Sequence, residues 1–288
     1  MSLAAPHRRT LVVAPRDEIE ISAVEVVVGA PPDLAAIIPR CPQLRWVQST
    51  WAGIDAIAHF ASEALQITPL KGVFGPAMTE YVMGWLLAIE RNVISRASHT
   101  QWTPSLEPRI TGKRLGVMGT GGIGTAIALA AKSFGVEVFG LNSDGRAVDG
   151  FTACYPSTDR LAFAERLDYL VSVLPQTAQT DNLIDHEVLT RLNPRAIVIN
   201  AGRGNAVVEA DLIASLNAGH VRAAVLDVFR EEPLPPDDPL WSTPGVHITS
   251  HTAGPTPDEA SGEAFARKLK RYIAGEPLTD AAQPGRGY

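Results

Sequence analysis

The chain is poor in cysteine, in aromatic side chains and in concentrated positive charge, and each shortage removes a class of protein. Only Cys41 and Cys154 occur among its 288 residues. They are far apart and lack metal-ligand spacing, so neither a disulfide framework nor a zinc site is expected, and a reducing cytoplasm fits. Lys and Arg number 25 against 31 Asp and Glu, for a net charge of -6. No basic block gathers the potential that nucleic acid or an anionic membrane surface requires, so small solutes are the expected partners. Long hydrophobic runs are also missing: after Arg8 and Arg9 the apolar stretch 11–14 is much too short for a signal or membrane-spanning segment. What is present is a 45% hydrophobic content and a length that suits two ordinary domains with real cores.

The stretch 113–142 carries the first chemical signal. A short apolar strand, 114–118, meets Gly119, Thr120, Gly121, Gly122, Ile123 and Gly124 directly before the helical run 125–134. In this G-x-G-x-x-G spacing the first glycine permits a tight turn, the second lets the backbone approach a pyrophosphate, and the third lets helix and strand pack closely. The pyrophosphate would lie against the helix N-terminus, where unpaired N–H groups and the helix dipole favour an anion. Alone the motif is weak. A second apolar run, 136–141, at the distance expected for the next strand of a βαβ unit strengthens it.

An α/β pattern extends on both sides. Strand candidates at 11–14, 24–28 and 45–49 alternate with helical or Pro-punctuated segments, and 78–97 reads as one long helix leading to a Pro-containing linker at 100–111. Further strands are expected at 114–118, 136–141, 169–174, 196–200, 223–228 and 246–250. Helices are expected at 125–134, 159–166, 186–191 and 209–218, and a last one at 257–274 returns to the first domain. The expected fold is a Rossmann-type doubly wound parallel sheet domain.

Ligands of open parallel sheets lie outside the carboxyl ends of the strands. There the chain carries Asn200, Ala201, Gly202 and Arg203, then Asp227 with Glu231 and Glu232, then His251. The glycine turn followed by "NAGRG", "LDVFREEPL" and "ITSHTAG" resembles the D-isomer-specific 2-hydroxyacid dehydrogenase family over nearly the whole chain. The segment Asp227 to Trp241 and the ending Arg286 to Tyr288 look like its glyoxylate/hydroxypyruvate reductase A group. The resemblance implies a smaller, flavodoxin-like α/β substrate domain formed by both chain ends (1–90 and 265–288) around a dinucleotide-binding domain (91–264), and a homodimer. It also implies NAD(P)H-dependent reduction of a small 2-oxo acid to the D-2-hydroxy acid, with Arg203, Glu232 and His251 in the catalytic positions. His251 would donate the proton, Glu232 would orient its ring, and Arg203 would grip the carboxylate and polarise the carbonyl. Dehydrogenation of larger D-2-hydroxy acids and a dinucleotide-sensing, corepressor-like role are the alternatives.

By the same resemblance Ser49, Thr50, Trp51, Ala52, Gly53, Ile54 and Asp55 form the substrate loop, with Trp51, Ala52, Gly53 and Ile54 against the substrate and the backbone N–H groups of Ala52, Gly53 and Ile54 receiving its carboxylate. Trp51 stands where the family carries a small residue, which leaves substrate size open. Asp227 would accept from the nicotinamide carboxamide, Leu174, Pro175 and Thr180 would wall the adenosine, and Asn200 and Ala201 would border the cofactor. Met78 and Glu80 resemble a segment that approaches the nicotinamide. An NAD-preferring site carries Asp or Glu at the end of the second strand, against the adenosine ribose. Here that position is Asn142, with Ser143 and Arg146 available to a 2'-phosphate and Asp144 opposing it, so NADP is favoured over NAD. No metal site is expected.

Overall fold

The computed structural model describes residues 21–256, 258–278 and 280–282. The expected strand at 11–14 and the Arg286 to Tyr288 ending lie outside the described residues. Among the described residues two parallel sheets form. The smaller contains β1 (Val26–Gly29), followed by α1 (Pro31–Ile37), then β2 (Trp46–Ser49) and β3 (Gln66–Thr68), in the order β1-β2-β3. Proline opens α1 because its missing N–H falls where a helix has no acceptor for one. At three residues, β3 is too short to show a period.

The helix expected over 78–97 is two helices, α2 (Gly75–Glu90) and α3 (Val93–Ala97). Between them Asn92 adopts φ 52°, a left-handed conformation that asparagine tolerates better than most residues. Its side chain is held by Glu107 and by the Arg222 guanidinium, Nη2 to Oδ1 at 2.6 Å. Val82, Met83, Leu86 and Ile89 of α2 are buried in the core of the larger sheet, so by packing this helix goes with that sheet.

Among the described residues the larger sheet has seven strands: β4 (Arg114–Met118), β5 (Glu137–Asn142), β6 (Ala153–Pro156), β7 (Tyr169–Ser172), β8 (Ala196–Asn200), β9 (Val221–Leu226) and β10 (Val246–Ile248). Six were expected. β6 lies at the edge, only half-buried, and ends in a proline, so it shows no apolar run. The order β10-β9-β8-β7-β4-β5-β6 is the doubly wound arrangement with one added strand. Alternate residues serve opposite faces. Leu115, Val117, Tyr169, Val171, Ile197 and Ile199 join α2 and α4 (Gly122–Ser133) in one core layer. Met118, Leu170, Val198 and Leu226 join α5 (Arg160–Ala164), α6 (His186–Arg191) and α7 (Glu209–Asn217) in the other. Burial on both faces is why these strands read as unbroken apolar runs.

The chain returns to the smaller sheet through α8 (Asp258–Ile273). Phe265 and Tyr272 lie over fully buried Trp46, ring centroids 5.5 and 5.4 Å away, and such ring pairs add about 0.5–1.5 kcal/mol each beyond their buried area. Lys268 Nζ donates to the Pro69 carbonyl at 2.9 Å and pairs with Asp280 at 2.6 Å. Among the described residues no helix is long and apolar enough to cross a membrane.

Candidate active site

The strand order reverses between β4 and β7, and the glycine turn sits at that switch point. Gly119 has φ +100°, which only glycine adopts freely. A Cβ on Gly124 would lie 1.9 Å from the Gly119 carbonyl oxygen, so strand and helix are in direct backbone contact there. A Cβ on Gly121 or Gly122 would meet nothing within 4 Å, and both residues are exposed. The N-cap of α4 is Gly121, with no side chain closing the helix end. This open, uncapped turn fits a dinucleotide pyrophosphate, with Ile123 half-buried beneath it against the core.

The catalytic candidates converge. His251 Nδ1 and Glu232 Oε2 are 2.8 Å apart, and Glu232 Oε1 accepts the Phe229 N–H at 2.9 Å. The glutamate is thus fixed from one side and fixes the imidazole from the other. Arg203 follows β8 through a turn shaped by buried Asn200, whose amide donates to the Arg203 carbonyl at 2.9 Å and whose oxygen accepts from Gly202 N–H at 3.3 Å. The guanidinium donates to Asp55 Oδ2 and to the Gly202 carbonyl, each at 2.8 Å. Asp55 ends the expected substrate loop, but no contact with Arg203 was expected of it, because that partner lies far along the chain.

The loop after β2 forms the opposite wall. Ser49 Oγ accepts the Trp51 N–H at 2.9 Å, which tightens the turn. Among the described residues no acceptor faces the N–H groups of Ala52, Gly53 or Ile54. The Ile54 side chain is buried in the core of the smaller sheet, so only its backbone can serve a ligand. Trp51 is 40% exposed, with its indole 6.5 Å from the His251 ring. Trp51, Gly53, Asp55, Arg203, Glu232 and His251 line one cleft of about 240 Å³, together with Gln176 and Phe229. A wider depression of about 620 Å³ at the amino ends of the strands, beside Arg114, Arg166 and Arg191, contains none of the candidate residues.

Several expected cofactor contacts are already engaged by the protein itself. Asp227 is 1% exposed; Oδ1 accepts from Thr249 Oγ1 at 2.5 Å and from Thr252 N–H at 2.8 Å, and Oδ2 accepts from Ala253 N–H at 2.9 Å. Its observed task is to anchor the loop carrying His251, whose own N–H donates to the Asp227 carbonyl at 2.8 Å. Thr180 does not offer a free hydroxyl to an adenosine, because Oγ1 closes its own turn onto the Pro175 carbonyl at 2.7 Å. Leu174 is core, while Pro175 and Ala201 are half-buried. Met78 is likewise core and Glu80 is exposed.

At the adenosine end, Asn142 does not project freely. Its amide donates to Thr120 Oγ1 at 3.1 Å and to the Arg146 carbonyl at 2.9 Å, while its oxygen accepts from Gly145 N–H at 2.7 Å. Arg146 does not stand free for a phosphate either: it pairs with Asp144 at 2.9 Å. The Arg146 N–H and guanidinium hold the Asp144 carboxyl below its ordinary range. Ser143 is exposed beside them.

With this geometry in hand, the comparisons with known proteins assign the class. The family model described as D-isomer specific 2-hydroxyacid dehydrogenase, NAD binding domain, matches residues 83–253. A glyoxylate/hydroxypyruvate reductase A from Yersinia enterocolitica is 34% identical over 215 residues, covering 73% of this chain and 68% of that protein. An NADPH-dependent glyoxylate/hydroxypyruvate reductase structure from Sinorhizobium meliloti, in complex with NADP and sulfate, shares 28% identity at TM-score 0.83, covering 94% of this chain and 88% of that one. A D-isomer specific 2-hydroxyacid dehydrogenase structure from Xanthobacter autotrophicus, in complex with NADPH and MES, shares 31% identity at TM-score 0.84, covering 94% and 87%. The chain belongs to the D-isomer specific 2-hydroxyacid dehydrogenase family, and is an NAD(P)-dependent oxidoreductase acting on 2-hydroxy acids and their 2-oxo counterparts.

Proposed function

We propose that the protein reduces a small 2-oxo acid of the glyoxylate or hydroxypyruvate type to its D-2-hydroxy acid, using NADPH in preference to NADH. The observation that carries this reading is the 2.8 Å Glu232–His251 pair facing the same cleft as Arg203. The nicotinamide supplies a hydride to the carbonyl carbon when bound, held through the turn Gly119 to Gly124. His251 gives the carbonyl oxygen its proton, and Glu232 keeps the ring aimed. Arg203 and the N–H groups of Ala52, Gly53 and Ile54 take the substrate carboxylate. The Trp51 indole beside His251 limits the room for a larger substituent, which supports the small substrates over the larger ones.

The cofactor preference rests on Asn142, which removes the carboxylate that repels a 2'-phosphate, and on relatives whose structures contain NADP or NADPH. The division into a substrate domain and a dinucleotide-binding domain is supported by the two sheets flanking the cleft. A homodimer is supported by the fully exposed Trp102 and Leu106 and the half-exposed Val93 and Ile94, apolar surface that a second copy would cover. A cytoplasmic location goes with the two unpaired cysteines, of which Cys41 is buried.

The test is oxidation of reduced nicotinamide followed by absorbance, with 2-oxo acids of increasing size and with NADPH and NADH at limiting concentrations. Glyoxylate and hydroxypyruvate should be turned over fastest, with NADPH. No oxidation with any 2-oxo acid would overturn the reading, and tight dinucleotide binding without turnover would favour a sensor. A tenfold preference for NADH would overturn the cofactor choice.

A further inference from the structure

Arg203 is restrained at two of its three guanidinium nitrogens: Nε on Asp55 Oδ2 and Nη1 on the Gly202 carbonyl, both at 2.8 Å. Nη2 has no acceptor among the described residues, and it lies over the Gly53 backbone so closely that a Cβ there would be 1.4 Å from it. The pair is partly shielded from water, with side chains 21% and 25% exposed, so its Coulombic and hydrogen-bond energy is only partly screened. Asp55 belongs to the loop after β2 and Arg203 to the loop after β8, so the bond also spans the cleft.

Resting on the functional reading above, we infer that Asp55 is a positioning and selectivity residue. It aims the free Nη2 edge of Arg203 at the space before the unpaired N–H groups of residues 52–54, where one substrate carboxylate is taken. It also cancels most of the arginine's charge. The neighbouring cation, Arg230, is already engaged by Asp181 and by the Val207 and Asn205 carbonyls. Among the described residues that line the cleft, a second carboxylate on the substrate therefore finds no cation without an acidic partner, and the site selects 2-oxo monocarboxylates over 2-oxo dicarboxylates.

Three variants separate the parts of this inference. Asp55→Ala removes acceptor and charge, and should raise KM for a 2-oxo monocarboxylate by about tenfold or more, the loss expected for a hydrogen bond to a charged group. NADPH affinity should change by less than about twofold, since the cofactor turn is untouched. Asp55→Asn keeps an acceptor, so its KM should rise less, while kcat/KM for a 2-oxo dicarboxylate relative to a monocarboxylate should rise by about tenfold. Gly53→Ala meets the far ends of the Arg203 and Asp55 side chains and no backbone, so it should displace the ion pair and raise KM without lowering Tm. An unchanged KM in Asp55→Ala, or an equal loss of NADPH affinity, would overturn the positioning role; an unchanged dicarboxylate ratio in Asp55→Asn would overturn the selectivity role. Calorimetric binding of oxamate, a 2-oxo acid isostere, reads the same contact without turnover. Wild type that binds oxamate, with Asp55→Ala weakened about tenfold, would leave this inference standing even if no 2-oxo acid were reduced.

Discussion

The imidazole at the centre of the cleft sits on a backbone that its residue type seldom adopts. His251 has φ 55°, and the loop holds it there through its N–H bond to the Asp227 carbonyl. Backbone in this region costs of order 1–3 kcal/mol, which the anchoring bonds must outweigh. Replacing the ring tests its role: His251→Ala should lower kcat by about 10²- to 10⁴-fold with NADPH affinity unchanged, measured by steady-state kinetics and fluorescence titration. Glu232→Gln should lower kcat less, because the amide still reaches the ring. Gly124→Ala should fail in another way: its Cβ would meet the Gly119 carbonyl, backbone that cannot swing aside. The expected loss is about 1–3 kcal/mol of stability together with weaker dinucleotide binding, read by thermal unfolding with and without NADPH. Arg203, Glu232, His251 and the glycines were legible because each follows a strand end at a known spacing. Asp55 was legible only as part of the substrate loop; its bond to Arg203 was not, since an ion pair linking two distant loops leaves no local pattern.

At the scale of elements, the segment 249–253 behaves as one unit hung on a carboxylate. Tyr81 on α2 touches Thr249 Oγ1 at 2.7 Å, Thr249 donates to Asp227, and Asp227 collects the N–H groups of Thr252 and Ala253. Burial pushes the Tyr81 hydroxyl up to about 12, so it stays protonated and able to hydrogen-bond throughout the neutral range. Asp227→Ala should therefore lower kcat by about tenfold or more by loosening the His251 loop, and should also lower Tm. Tyr81→Phe, one bond further out, should cost only about 0.5–1.5 kcal/mol of stability and little turnover. Equal kcat losses in both would contradict this hierarchy. The strands of the larger sheet were readable because burial on both faces makes them continuous apolar runs. β3 and β6 were not, being short and partly exposed, and the break at Asn92 was hidden because helical spacing continues through it.

Across the whole molecule, pH acts on stability through a residue that does not line the cleft. His247 on β10 packs against Trp85, ring centroids 5.0 Å apart, and burial lowers its pKa from the ordinary 6.5. Its folded-state pKa is the lower one, so the unfolded chain binds the proton first. Its neutral form therefore imposes no penalty above about pH 6.5, and stability falls as pH drops below that value. Thermal unfolding between pH 7.5 and 5 should show a shallower decline in His247→Asn than in wild type; identical slopes would exclude the contribution. The α/β architecture was readable along most of the described residues and the family from the motifs within 83–253, whereas the covering of one sheet by the last helix has a consequence in time. Trp46 is finished by Phe265 and Tyr272, which leave the ribosome roughly 220 residues later, on the order of 10–45 s at ordinary synthesis rates. Until then the smaller sheet lacks the two rings that stack on Trp46, while the larger one already has all its described strands. A chain ending before α8 should therefore aggregate more readily than the full chain, as light scattering would show.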